Sequence, residues 1–221
     1  MSINKSYQNT IKTLDHLVNV NQNNIDTNKV IMFLDWISAK THYFEKENQP
    51  FCVSDVNLPK TISQSTYNYL RPELKRIVDT GYNKNDQTYE RNLYCINVVD
   101  ATKLYKALFL SKRHIVWVDF GFNLGKEFGG KHPAVILKNL GEVLIVAPIS
   151  TNANEIQSSD LVITFEESDL YNMPAQRKRF TNITRIAAIS LLRVDTTSKV
   201  GSLKTSKFNE ILTKIKNYYS I

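Results

Sequence analysis

The chain has 221 residues and a formal net charge of +7, with 28 Lys and Arg residues against 21 Asp and Glu residues. Its 42% of hydrophobic and 22% of charged residues are typical of a folded globular protein and exclude a disordered or fibrous chain. No apolar run approaches the roughly 20 residues that a membrane span requires, and no signal peptide is visible. The positive charge favours a polyanionic partner such as a nucleic acid, or it serves solubility alone.

The cysteines and histidines give no pattern of metal ligands. Cys52 and Cys95 lie far apart, and the four histidines are scattered at 16, 42, 114 and 132. We therefore expect no metal and no other cofactor, and we expect both cysteines to be reduced, buried thiols of a cytoplasmic protein.

In the first half of the chain, apolar residues recur at the spacing of α-helices. One stripe runs along residues 3–18, and Asp26 and Thr27 can cap a second helix with apolar residues between 31 and 44. The pattern also predicts a connector over 50–59, a polar loop over 82–87, and helices over 63–70, 72–81 and 100–108. Residues 1–110 are therefore predicted to be a mainly helical N-terminal region.

After Ser111 the pattern changes to short β-strands with turn residues between them. Asn139-Leu140-Gly141 is a plausible hairpin turn, and the last 15 or so residues carry a helical apolar face that Ser206 can cap. Strands are predicted over 115–120, 133–138, 142–147, 161–165 and 180–188. The chain is thus predicted to be α+β, with residues 111–221 forming a small closed or half-open barrel followed by a helix.

The segment from Ile115 to Thr151 is the most informative part of the sequence. Three apolar runs are separated by a Gly-rich basic loop and by the tight turn. The loop reads Gly125-Lys126-Glu127-Phe128-Gly129-Gly130-Lys131-His132-Pro133, and the third run ends at Ser150 and Thr151. This order closely resembles the MazF/PemK family of bacterial toxin ribonucleases. The resemblance covers about 110 residues, from Ile115 to the terminal helix, and it is strongest in the first 40.

The resemblance implies a fold, an activity and partners. We expect an SH3-like barrel, a homodimer, sequence-specific cleavage of single-stranded RNA without a metal, and silencing by a cognate antitoxin protein. The family places an arginine before the loop proline and a threonine or serine at the end of the third strand. Those positions are His132 and Ser150 here.

His132 is the candidate catalytic residue. Cleavage of RNA through its own 2′-hydroxyl needs a proton acceptor, a proton donor and positive charge near the phosphate. A histidine can transfer protons near neutral pH, which an arginine does poorly. Alternatively, His132 is a partly buried residue that orients the loop. Ser150 and Thr151 can donate to a phosphate oxygen or cap the strand end, and Glu127 can orient the loop or act as the second proton-transfer group.

Basic residues are the candidate RNA contacts. Lys126 and Lys131 flank the site, while Arg177, Lys178 and Arg179 form a basic cluster near aromatic residues, as suits single-stranded RNA. Solvated lysines and arginines are the alternative. Arg193 lies in a stretch that resembles the family's later Ile-(Ser/Asp)-x-x-Arg-Leu, and Ala187 stands where the family often carries another arginine. Arg185, which is predicted on the same strand and face, would compensate.

Three functions remain open from the sequence. The leading one is the ribonuclease toxin. The second is a nucleic-acid-binding or regulatory module without catalysis, since two family arginines are missing. The third keeps the barrel but targets DNA gyrase, as a related toxin group does. Residues 1–110 match nothing in short family members and are predicted to bind RNA, to dock the antitoxin, or to support the barrel.

Overall fold

The computed structural model describes residues 50–92, 96–121, 129–151, 159–173 and 178–220, and parts of the first 49 residues. The chain forms two compact units, residues 1–49 with 121–126, and residues 50–120 with 127–221. In the first unit the described residues 8–9, 11–12, 15, 31 and 33–38 are helical, which agrees with the predicted stripes where they can be compared. Phe33 and Trp36 stack there with ring centroids 6.0 Å apart.

The described residues between 50 and 110 form three α-helices, a short 3-10 helix at Asp55–Asn57 and a small sheet. The helices are α1 (Gln64–Tyr69), α2 (Pro72–Gly81) and α3 (Val98–Phe109). The antiparallel strands are β1 (Thr61–Ser63), β2 (Tyr82–Lys84) and β3 (Thr88–Arg91), in the order β1-β3-β2. The three helices confirm the predictions for 63–70, 72–81 and 100–108.

The small sheet corrects the prediction of a polar loop over 82–87. Its strands are three or four residues long, and β2 and β3 carry only one tyrosine each among polar residues, so no apolar alternation marks them in the sequence. One residue of each strand is buried: Ile62, Tyr82 and Tyr89, at 2%, 4% and 3% exposure. Cys52 is a second correction, because its thiol is exposed rather than buried. Cys95 lies outside the described residues.

The second half forms a nearly closed antiparallel barrel with a terminal helix. Its strands are β4 (His114–Asp119), β5 (Lys131–Asn139), β6 (Val143–Ser150), β7 (Val162–Phe165), β8 (Leu170–Tyr171), β9 (Arg179–Asn182), β10 (Ala187–Ser190), β11 (Val194–Asp195) and β12 (Gly201–Leu203). They pair in the order β7-β9-β6-β5-β4-β12-β8, with β10 also on β6 and β11 also on β4. The helix is α4 (Thr205–Tyr219). The predicted α+β fold is confirmed.

Two local predictions in this half are wrong. The single strand predicted over 180–188 is divided into β9 and β10 by a 3-10 turn at Ile183–Arg185. Asn182 starts that turn, because its Oδ1 accepts from the Thr184 N–H at 3.0 Å. Ser206 does not cap the terminal helix. The helix begins at Thr205, and Lys204 is its N-cap residue.

The predicted hairpin turn is confirmed. The Leu140 N–H donates to the Val143 carbonyl at 2.9 Å, and the Gly141 N–H donates to the Asn139 side chain at 2.8 Å. Gly141 has φ +101°, which a residue with a Cβ adopts only with strain. The turn therefore fixes the register between β5 and β6 at this end of the barrel.

Strands β4, β5 and β6 are buried on both sides, so their side chains form two faces. The first face is the set of alternate residues that includes Val116, Val118, Ala134, Ile136 and Val146, and it packs in one core with α2, α3 and the small sheet. The second face includes Ile115, Val135, Ala147 and Ile149, and it packs in another core with β7 and α4. Within the described residues, no helix is long and apolar enough to cross a membrane.

Candidate functional site

The antiparallel topology gathers most of the described candidate residues at one end of the barrel. Strands β4 and β6 end there, at Asp119 and Ser150, and β5 and β9 begin there, at Lys131 and Arg179. The hairpin turn at 139–141 lies at the opposite end. We call the first of these the site end.

His132 and Ser150 lie on the same face at the site end. His132 pairs with Val118 across β4 and β5, so its side chain belongs to the first face. Ala134 of β5 pairs with Pro148 of β6. Two residues further toward the site end, the same register places His132 opposite Ser150. His132 is half-buried, while Ser150 is only 5% exposed. The imidazole thus has partial access to solvent, and the hydroxyl lies beneath the surface.

The connection between β4 and β5 closes next to the imidazole. The Phe120 N–H donates to the Gly130 carbonyl at 2.9 Å. Gly130 has φ +78°, and a Cβ built there would lie 3.9 Å from His132 Nε2. A Cβ at that distance would make an ordinary van der Waals contact, so it is the positive φ, and not the space beside the ring, that favours glycine at 130.

Lys131 lies on the second face and is held by Asp195. It pairs with Asp119 on β4, while Asp195 of β11 pairs with Trp117 on the other side of the same strand. The Lys131 ammonium group bridges β4 to reach the Asp195 carboxylate, and it lies 6.0 Å from the centroid of the Trp117 ring. Lys131 remains 52% exposed. Its charge is therefore partly neutralised before any ligand binds.

Asp195 accepts several further hydrogen bonds. Its carboxylate accepts from the Thr197 N–H at 2.8 Å, from the Thr197 hydroxyl at 2.6 Å and from the Ser198 hydroxyl at 2.5 Å. Burial raises the pKa of Asp195, but the bonds from Lys131, Ser198 and Thr197 outweigh it and hold that pKa well below its usual range. The carboxylate is consequently ionised at neutral pH.

Arg193 also has a partner within the protein. Its Nη1 donates to the Phe120 carbonyl at 3.2 Å, at the end of β4 where the connection to β5 begins. The predicted contact of Arg193 with RNA stays a prediction. The observed bond ties the Arg193 side chain to the backbone at the start of the connection between β4 and β5.

The remaining predicted residues are distributed unequally. Lys178 and Thr151 are exposed at the site end, whereas Arg179 is 7% exposed and pairs with Phe165. Arg185 lies in the 3-10 turn rather than on a strand with Ala187, so the expected shared strand face does not exist. Lys126, Glu127 and Arg177 lie outside the described residues.

Sequence reasoning missed Asp195 and Trp117. Three hydroxyl residues, Thr196, Thr197 and Ser198, follow Asp195 directly, which is a turn pattern that could have marked a carboxylate held by its own loop. Its pairing with Lys131 depends on a contact 64 residues apart in sequence, which no local pattern reveals. Among the described residues, no cluster of three or more His, Cys, Asp or Glu side chains could hold a metal ion.

The barrel matches a known protein family. Residues 111–219 match the sequence model of a family described as the PemK-like, MazF-like toxin of type II toxin–antitoxin systems. This part of the chain belongs to that family. The matched range begins just before β4 and ends with α4. We call this range, which spans the barrel strands and the terminal helix, the PemK/MazF-like part. No match is found among curated proteins.

Three solved structures are among those similar to the chain. MazF (Form-I) from Deinococcus radiodurans shares 14% identity over 50% of this chain and 96% of its own, with a TM-score of 0.39. The MazE–MazF structure (Form-II) from the same organism shares 14% identity over 51% and 98%, with a TM-score of 0.39. An endoribonuclease in complex with its cognate antitoxin from a mycobacterial species shares 14% identity over 50% and 94%, with a TM-score of 0.37.

Proposed function

We propose that the PemK/MazF-like part is a toxin that cleaves single-stranded RNA at specific sequences without a metal ion. Its membership of a toxin family supports the class of function. The observation that carries the proposed chemistry is His132, a half-buried imidazole at the site end, beside Gly130 and opposite Ser150 by register.

The reaction uses the RNA's own 2′-hydroxyl as nucleophile. His132 accepts the proton from that hydroxyl, the 2′ oxygen forms a bond to phosphorus, and the bond from phosphorus to the 5′ oxygen breaks. The 5′ oxygen leaves as a hydroxyl after taking up a proton, for which Glu127 of the same connection is the candidate donor. The products are a 2′,3′-cyclic phosphate and a 5′-hydroxyl end.

Positive charge around the site binds the RNA backbone. The net charge of +7 raises affinity for a polyanion through counterion release. Lys178 and Thr151 are exposed at the site end and can reach phosphate oxygens directly. Ser150 is buried, so we propose that its hydroxyl supports the end of β6 beside His132 and does not contact the RNA phosphate.

The partners follow from the family. We infer that a cognate antitoxin silences this chain and that the toxin works in the cytoplasm as a homodimer. A basic toxin suits an acidic antitoxin, because opposite charges steer the two proteins together.

The test is cleavage of a long single-stranded RNA by the purified protein in EDTA, with the 5′ ends of the products mapped. We expect discrete cuts that leave 5′-hydroxyl ends. An oligonucleotide with a single 2′-deoxy nucleotide at a mapped site should resist cleavage while it still binds. Cutting of the deoxy substrate at the normal rate would contradict the proposed nucleophile.

The competing functions give different outcomes in the same experiment. The module without catalysis is favoured by His132 and Ala187 standing where the family carries arginines, and it predicts salt-sensitive binding with intact RNA. A gyrase-directed toxin predicts intact RNA together with trapped DNA breaks in arrested cells.

A further inference from the structure

We propose that Asp195 is a positioning residue of this site: it anchors Lys131 and so fixes the backbone that carries His132. The proposal rests on the ribonuclease function proposed above. The anchored group is the loop base, which we define as Phe120, Gly130 and Lys131, the described residues that close the connection between β4 and β5.

One internal hydrogen bond closes the loop base, and two bonds from residues 193–195 hold it in place. Phe120 donates to Gly130 at 2.9 Å, Arg193 donates to the Phe120 carbonyl at 3.2 Å, and Lys131 donates to Asp195. Arg193 and Asp195 are separated by one residue, so a single short stretch of chain holds both ends of the connection. His132 follows Lys131 directly, and its Nε2 lies beside Gly130.

The Asp195 carboxylate is preorganised for this task. The Thr197 N–H and the Thr197 and Ser198 hydroxyls all donate to it, at 2.8, 2.6 and 2.5 Å, so its orientation is set by its own turn. The side chain is 18% exposed, whereas that of Lys131 is 52% exposed. Because the carboxylate is fixed and the lysine side chain is flexible, Asp195 determines the position of Lys131.

Side chains alternate between the two faces of a β-strand, so the anchor at Lys131 also affects His132. Lys131 and His132 are consecutive on β5, so their side chains lie on opposite faces. Tying Lys131 to the second face therefore orients His132 toward the first face, where Val118 of β4 is its cross-strand neighbour. The ammonium group serves as an anchor, and its contact with RNA phosphate becomes unnecessary.

The decisive variants are Asp195→Asn, Asp195→Glu and Lys131→Met, with Glu142→Gln as the matched control. Glu142 accepts from Lys106 at 3.1 Å in an ion pair that also joins two segments but lies near the hairpin turn. We expect Asp195→Asn and Lys131→Met to lower the single-turnover cleavage rate by about tenfold at unchanged RNA affinity, because misplaced catalytic groups lose rate rather than binding. Asp195→Glu should recover part of the rate, and Glu142→Gln should match the parent.

Two measurements that do not require cleavage separate this proposal from the ribonuclease proposal. Hydrogen exchange in peptides covering 117–134 should rise in Asp195→Asn and Lys131→Met but not in Glu142→Gln. The dependence of RNA affinity on salt should keep its slope in Lys131→Met, whereas a lost phosphate contact would lower the slope by about 0.7.

The outcomes are distinct. Intact RNA with the parent protein, together with the expected exchange pattern, would leave the anchor standing and remove the ribonuclease. Parental cleavage and exchange in Asp195→Asn would overturn the anchor, and so would a salt slope reduced in Lys131→Met, since Lys131 would then be an RNA contact.

Discussion

The two faces of the central strands have similar cores but different ends. Both are lined with buried aliphatic residues, one packed with residues 50–110 and the other with α4 and β7. At the site end, the first face continues into His132 and Ser150, while the second continues into Lys131 and the Asp195 ion pair. In the proposed mechanism, chemistry and support are therefore divided between consecutive residues of one strand.

The largest expected effect on stability sharpens the comparison of the two cores. Ile136→Ala on the first face and Ile149→Ala on the second should each lower the free energy of unfolding by about 2–5 kcal/mol, because both side chains are buried at 0% and 1% exposure. Hydrogen exchange should rise over 98–109 in Ile136→Ala alone, since α3 packs on the first face. Equal protection of α3 in both variants would break the distinction.

The second prediction concerns alkaline stability of the region that covers the first face. Burial raises the pKa of Tyr82 to about 12, a shift that the Arg91 charge opposes and the Asp55 charge reinforces. A raised folded pKa gives stability that is present below the unfolded value near 10 and is lost as pH rises toward 12. Tyr82 should therefore contribute a loss of about 2 kcal/mol over that window.

Denaturant unfolding at pH 9 and pH 11.5 measures that loss. Tyr82→Phe should show a shallower decline than the parent, and Tyr69→Phe, at a residue 91% exposed, should decline as the parent does. Identical declines in all three proteins would remove Tyr82 as the cause.

A smaller effect is expected at the hairpin turn, which belongs to neither face. Gly141→Ala should lower the free energy of unfolding by about 1 kcal/mol, because the positive φ is strained with a Cβ although nothing lies within 4 Å of it. RNA cleavage by the folded variant should equal that of the parent. A change in cleavage would show that the two ends of the barrel are coupled.

The smallest effect is expected at Tyr105 on α3, in the first core. Within the described residues, its buried hydroxyl has no hydrogen-bond partner. Tyr105→Phe should change the free energy of unfolding by less than about 1 kcal/mol, toward greater stability, because an unpaired polar group leaves the core. A clear loss of thermal stability would instead reveal a partner for that hydroxyl.

The parts of the structure that the sequence predicts are those with local signals. Pro72 and Gly81 bound α2, the Asn139-Leu140-Gly141 turn joins β5 and β6, and the apolar runs of β4 to β6 stand out. The break at Ile183–Arg185 was missed, because apolar residues continue through it while Asn182 turns the chain.

The candidate site is predictable in part for the same reason. His132 and Ser150 stand in a contiguous motif, and their neighbourhood follows once β5 and β6 are paired in register. The Lys131–Asp195 pair depends on β11 joining the far side of β4, which only the three-dimensional fold determines.

The most direct test of this division compares neighbouring residues on opposite faces. Single-turnover cleavage of a saturating RNA substrate should fall about a thousandfold in His132→Ala, which loses proton transfer, and about tenfold in Lys131→Ala, which loses an anchor. Both variants should unfold at the parental temperature to within a few degrees. Equal losses, a larger loss in Lys131→Ala, or parental activity in His132→Ala would contradict the account.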